Sequence, residues 1–192
     1  MAKRNIKNLR IMRALMAHPQ GELTKYRIAQ IAGCSVPWVI EFLRKLEKEG
    51  ITKKTKLLNR DKLIAYYVES IPKATYFECY VQNPLQFLKG SSLPYALTTY
   101  GAENLTSHHL FPTRYDIYIR KDDSDAWKHL IAKEGLLGKG NLRIIPTHDN
   151  AIFSEGRKVK GVQLVSLPQL MIDLKKEGGV AEEAFAMLVK NV

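Results

Sequence analysis

Apolar residues recur at helical spacing from near the start of the chain: Ile6, Leu9, Met12, Leu15 and Met16 lie three or four positions apart and predict a first helix reaching His18. Pro19, Gln20 and Gly21 break it. A second periodic stretch opens at Thr24, whose hydroxyl suits an N-cap, and Ile28, Ile31 and Ala32 share one face of a short helix over Lys25–Ala32. Gly33 offers the positive φ of a tight turn, Ser35 can cap the next helix, and Pro37 falls in its first turn, where no backbone N–H is missed. That helix is predicted to run to about Lys48, with Val36, Val39 or Ile40, Leu43 and Leu46 inside and Pro37, Trp38, Glu41, Arg44, Lys45 and Lys48 outside. Past Gly50 the period changes. Residues 51–57 and 63–70 are short β-rich runs separated by the turn residues Asn59, Arg60 and Asp61, which predicts a two-stranded wing. Residues 22–70 therefore read as a helix-turn-helix with a wing, inside an N-terminal domain of residues 1–70.

The pattern shifts beyond Ile71 and Pro72. A strand or short helix over residues 76–81, a brief helix over residues 85–89 and a break at Gly90, Ser91 and Ser92 precede a predicted helix over residues 95–108, with Ala96, Leu97, Tyr100, Ala102 and Leu105 inward. A strand at Tyr115–Arg120, a helix around residues 127–134, an apolar run over residues 142–145 and a short segment over residues 151–153 follow. Residues 161–166 then lead past Pro168 into a helix over residues 169–176, and a last helix spans residues 181–189. Strands alternating with helices predict a mixed α/β domain over residues 75–192, so the expected class is α+β: a winged helix-turn-helix domain followed by a mixed α/β domain.

Charge sharpens this division. The chain of 192 residues carries 30 Lys and Arg against 19 Asp and Glu, a net of +11. Residues 1–70 hold 15 cations against 6 anions, a net of +9, whereas residues 71–192 hold 15 against 13, a net of +2. A polyanion partner for the first domain follows, and double-stranded DNA suits it better than a membrane surface. A recognition helix presents its N-terminal residues to base edges while flanking cations meet phosphates. Ser35, Trp38 and Glu41 are thus assigned to base contact, with Pro37 beside them, and Arg44, Lys45 and Lys48 to phosphates or, for Arg44, a guanine edge. Lys53, Lys54, Lys56, Arg60 and Lys62 would arm the wing. The bland alternatives are a solvated basic face and, for Trp38, simple packing on the wing.

Other chemistry is sparse. Two isolated cysteines, Cys34 and Cys79, form no metal motif, and Cys34 reads as a packing residue in the turn. His108, His109, His129 and His148 lack zinc-helix spacing, and Asp122, Asp123 and Asp125 lack the Gly and terminal Glu of a calcium loop. Neither a metal nor a cofactor is expected. No signal peptide and no apolar run of bilayer length is visible, so a cytoplasmic protein without membrane contact is expected.

Residues 95–119, YALTTYGAENLTSHHLFPTRYDIYI, together with GVQLVSLPQLMIDLKKEGG over residues 161–179, resemble the C-terminal domain of AbiEi antitoxins. The resemblance extends over both domains and implies a type IV antitoxin: a winged-helix repressor of its own operon that binds inverted repeats and counteracts a nucleotidyltransferase-like toxin of the AbiEii type. An enzyme reading competes with it. Gly90 and Ser91 ahead of a helix, and the strand Asp116, Ile117, Tyr118, are similar to the phosphate turn and metal-binding strand of a nucleotidyltransferase. Tyr118 stands where the second carboxylate belongs, and one Asp cannot build a two-metal oxygen cage, so no enzyme is expected. A third reading is a protein-interaction adaptor whose winged helix binds a partner instead of DNA.

Overall fold

The computed structural model describes residues 3–71 and 75–190; Met1 and Ala2 of the basic start and Pro72 at the expected boundary lie outside them. With 55% helix, 19% strand and a mixed sheet, the chain is a mixed α and β protein. It divides into two compact units, Met1–Pro72 and Lys73–Val192.

In the first unit four helices, α1 (Lys3–Ala17), α2 (Lys25–Ala32), α3 (Val36–Lys48) and α4 (Arg60–Ser70), enclose one apolar core. Leu9, Ile11, Met12, Leu15 and Met16 of α1 meet Ile28 and Ala32 of α2, Val39, Phe42, Leu43 and Leu46 of α3, and Leu63, Ile64 and Tyr67 of α4, all buried. Arg13 is buried among them, and its guanidinium donates to the Tyr67 hydroxyl at 3.0 Å, tying α1 to α4. Between α3 and α4 lies a hairpin of two-residue strands, β1 (Thr52–Lys53) and β2 (Lys56–Leu57), paired Thr52 to Leu57 and Lys53 to Lys56. Leu57 N–H donates to Pro19 O at 2.8 Å and anchors the hairpin to the loop after α1.

The second wing strand expected over residues 63–70 does not form. Residues 60–70 are helical, because Leu63, Ile64 and Tyr67 bury one helix face while the Asn59 side chain accepts from Lys62 N–H at 2.9 Å. Asn59, Arg60 and Asp61 open a helix instead of turning a hairpin; Asn and Asp favour both places for the same reason, a short side chain that bonds nearby backbone.

The second unit is built on a seven-stranded mixed sheet in the order β6-β3-β7-β5-β4-β9-β8. The strands are β3 (Phe77–Val81), β4 (Tyr95–Thr98), β5 (Tyr115–Arg120), β6 (Gly135–Leu137), β7 (Leu142–Thr147), β8 (Arg157–Val159) and β9 (Val162–Leu164). The helices are α5 (Pro84–Gly90), α6 (Thr99–Ser107), α7 (Ser124–Glu134), the single turn α8 (Ala151–Ser154), α9 (Leu167–Glu177) and α10 (Val180–Lys190). Alternation along the strands separates two faces. One is apolar: Tyr95, Leu97, Ile117, Ile119, Leu142 and Ile144 are buried there, and Trp127 of α7 packs edge-on against Phe87 of α5 and Tyr95, with ring centroids 6.2 Å apart in both pairs. The other is polar and lies under α9.

Two further expectations change in this unit. Residues 95–108 do not form one helix: the first four are β4, buried throughout, and the helix begins at Thr99. A strand buried on both faces shows no alternation, so its apolar run was indistinguishable from a helix stripe. No helix follows Gly90 and Ser91 either. Gly90 closes α5, Ser91 caps it, and β4 comes next. The three-residue strands β6 and β8 carried no signal of their own.

Candidate functional site

Local chemistry fixes the α2–α3 corner. Thr24 Oγ1 accepts from Arg27 N–H at 3.2 Å, and Gly33 turns the chain at φ 63°. Cys34 N–H reaches back to Ala29 O at 3.0 Å; burial pushes the Cys34 thiol up and Lys7 opposes it, which suits a packing role. Ser35 has the extended backbone of an N-cap but its hydroxyl makes no capping bond, and Pro37 lies in the first turn of α3. Phe42 joins Val39, Leu43 and Leu46 in the buried stripe, whereas Val36 and Ile40 are half-buried.

Ser35, Pro37, Glu41, Arg44, Lys45 and Lys48 are exposed, as are Lys53, Lys54 and Lys56 on the hairpin. Lys54 takes φ 55° at the hairpin tip, where its backbone N–H donates to Glu47 of α3 at 2.5 Å, so the tip is held against the helix. Arg60 and Lys62 sit on the first turn of α4, not on a wing strand, with Lys62 exposed and Arg60 half-buried. Trp38 differs from its neighbours. Its indole N–H donates to Asn8 Oδ1 at 2.9 Å and the Lys7 ammonium stands 5.2 Å from its ring centroid, so α1 orients it. Glu41 pairs with Lys45 at 3.4 Å across one helical turn.

No protein-family model, curated protein or solved structure matches the chain.

The second unit holds the other concentration of polar chemistry. Strand register lines up Glu78 of β3, Arg143 of β7, Asp116 of β5 and Thr98 of β4 across the polar face of the sheet. Asp116 is 1% exposed. Arg114 clamps it with two bonds, Nε to Oδ1 at 2.7 Å and a terminal nitrogen to Oδ2 at 3.0 Å, and the Thr99 hydroxyl donates to Oδ2 at 2.5 Å. Arg114 also reaches Glu177 of α9 at 2.7 Å. Beside this group Asp173 of α9 accepts from Thr98 at 2.5 Å and from Tyr118 and Gln169, both at 2.9 Å. Burial pushes the Asp173 carboxyl up to about 6, against the pull of its three donors and of Lys176. Tyr76, Thr98, Thr99, Asp116, Tyr118 and Arg143 line a cleft of about 240 Å³ with residues of α9.

Sequence reasoning singled out Asp116 and Tyr118 but missed Arg114, Arg143, Asp173 and Glu177. One signal was present: Arg114 and Asp116 are two apart next to a strand, a spacing that puts both on one face. The separation of Asp173 from Thr98 and Tyr118 in sequence left no comparable sign. Nor does the cleft resemble a two-metal site, since guanidinium groups surround Asp116. Among the described residues no three His, Cys, Asp or Glu side chains are placed to share a metal ion. His129 faces Asp125 O at 2.7 Å within α7, Asp125 pairs with Lys128 at 3.1 Å, and His108 and His148 are exposed. Glu103 of α6 is fully buried, accepting from the Ser107 hydroxyl, His109 N–H at 3.3 Å and Leu110 N–H at 2.7 Å, so its role is to fold the loop after α6. No helix among the described residues is long and apolar enough to cross a membrane.

Proposed function

We propose that this chain is a DNA-binding transcriptional regulator whose first unit acts as a winged helix, with α3 in the major groove and the β1–β2 hairpin beside it. The observation that carries the reading is the exposed outer face of α3, with Arg44, Lys45 and Lys48, next to the exposed hairpin cations Lys53, Lys54 and Lys56. The +9 of residues 1–70 supplies the long-range attraction. The resemblance to AbiEi antitoxins supports a repressor of its own operon that binds inverted repeats and counteracts a nucleotidyltransferase-like toxin. A catalytic transferase is disfavoured by the clamping of Asp116 between Arg114 and Thr99, which engages the carboxylate oxygens a metal would need.

Duplex binding by the full chain is expected to weaken steeply with salt, each neutralised phosphate contributing about −0.9 to the slope of log Kobs on log salt. Fluorescence anisotropy between low and physiological salt measures it, and salt-independent or absent binding refutes the reading in favour of a protein-interaction adaptor. Alanine at Lys53 and Lys54 should weaken operator and scrambled duplexes equally, as phosphate contacts do.

Glu41 tests whether α3 reads bases. A carboxylate gains nothing from phosphates, so its place in the groove makes sense through a cytosine amino group. Glu41→Ala should leave scrambled DNA bound as before or slightly tighter, and cut the preference for the selected operator by about 1–3 kcal/mol. The competing role is the pair with Lys45, whose side chains are 73% and 62% exposed. Such a pair is worth only ~0.3–0.5 kcal/mol to the helix. An unchanged operator-to-scrambled ratio in competition binding would leave Glu41 with that role alone.

A further inference from the structure

A second cleft of the same unit, between α5 and the end of α7, has a different chemistry from the one under α9. Its volume is about 310 Å³, within the size range of small-molecule sites. Phe87 and Leu130 give it an apolar lining, and the exposed Gln82, Gln86, Ser92 and Glu134 stand around its rim. Phe87 is only 9% exposed and packs edge-on against Trp127, so its ring is held in place. Among the described residues, the side chains of Gln82, Gln86, Ser92 and Glu134 make no hydrogen bond or ion pair. Glu134 differs in this from Glu78, Asp116, Asp125, Glu177 and Glu182, each of which meets a Lys or Arg. It is also the last residue of α7, where the free carbonyls of the final turn add a partial negative charge of about half a unit. No Lys, Arg or His lines the cleft among the described residues. Gly90 and Ser91, similar in sequence to a phosphate turn, border it, but a phosphate there would meet a carboxylate and no counter-charge.

We propose that this cleft binds a small organic ammonium ion carrying a flat apolar body. The site lies within the second unit and is independent of the DNA-binding reading. Charge and hydrogen bonding select the same class of ligand. An ammonium group has three donors and no acceptor. Glu134 supplies the opposite charge, while the side-chain oxygens of Gln82, Gln86 and Ser92 are acceptors without a protein donor. Exposed amides and hydroxyls are ordinarily satisfied by water. Here they surround an apolar lining beside an unpaired carboxylate, so a ligand that brings both donors and apolar surface replaces the water at each. A planar ring suits the lining, because Phe87 presents an aromatic side chain fixed from behind by Trp127.

Benzylamine is the probe, titrated into the full chain by calorimetry, with NMR shifts of the Gly90, Ser91 and Ser92 amides locating the site. Benzyl alcohol, which keeps the ring and loses the charge, and benzoate, which reverses it, are titrated in parallel. Saturable benzylamine binding with Kd on the order of a few mM is expected, with both controls at least about fivefold weaker. Glu134→Gln, a change at an exposed position, should weaken benzylamine about fivefold and bring it level with benzyl alcohol, and Glu134→Asp should recover part of the loss. Replacing Gln82 and Gln86 together by Ala should weaken it a few-fold. Absence of saturation up to about 100 mM overturns the proposal. So does benzyl alcohol or benzoate binding as tightly as benzylamine, undiminished benzylamine binding in Glu134→Gln, or shifts confined to residues outside the cleft.

Discussion

Replacing Arg114 by Met is expected to destabilise the second unit by about 3–5 kcal/mol, the range for breaking a buried ion pair by deleting one partner. The lost guanidinium makes two bonds to Asp116, which is 1% exposed, and one to Glu177. What remains on Asp116 is the Thr99 hydroxyl and the 3.8 Å approach of Arg143, too little to compensate a carboxylate shut off from water. The double variant Arg114→Met/Asp116→Asn removes the buried charge along with its partner and should recover most of the loss, because an apolar or neutral replacement of both members is close to neutral. Urea unfolding followed by Trp127 fluorescence in a Trp38→Phe background isolates this unit, since the chain has only those two tryptophans. A loss below about 1 kcal/mol in the single variant would show that the clamp contributes no more than a surface pair.

Asp173 should make the same unit more stable in mild acid. Its carboxyl is raised from 3.8 to about 6 by burial, so the folded state holds a proton that the unfolded chain has released between those values. Stability from this group therefore rises as pH falls from about 6 towards 4, and is lost again as pH rises through 6; over the full window the difference is on the order of 3 kcal/mol. Asp173→Asn keeps the shape, can still accept from Thr98 or Tyr118, and removes the titration. Measured by the same fluorescence, the variant should be the more stable protein at pH 7.5 and lose that advantage by pH 4.5. A stability difference independent of pH would show that Asp173 stays ionised, sustained by Thr98, Tyr118 and Gln169.

The sequence pattern reached the elements whose ends are written in local chemistry. Thr24, Gly33 and Pro37 mark α2 and α3 through capping, a left-handed turn and a fixed φ, and each of these acts within four residues. Ser166 and Pro168 do the same for α9, where the Ser166 side chain accepts from Gln169 N–H. Misreadings occurred where one residue type serves two local purposes, as Asn59 did, or where burial on both faces erases the alternation, as in β4. The candidate DNA-facing cations of α3, Arg44, Lys45 and Lys48, were legible because helix periodicity alone decides which side they occupy. The orientation of Trp38 was not, since it depends on Asn8 and Lys7 of another helix. The cleft lay furthest from reach: Asp173 meets Thr98 across 75 residues of sequence, and only the packing of α9 on the sheet brings them together.

Glu103 has a dynamic consequence. Loops ordinarily exchange their amide hydrogens fast, yet the N–H groups of His109 and Leu110 point at a carboxylate that is itself sealed from solvent. Freeing either amide uncovers Glu103 and releases the Ser107 hydroxyl and the end of α6 with it, so this stretch opens as one cooperative piece rather than residue by residue. Leu110 should therefore exchange as slowly as the adjoining helix, while Phe111, one step further and 88% exposed, stands on a fixed pedestal.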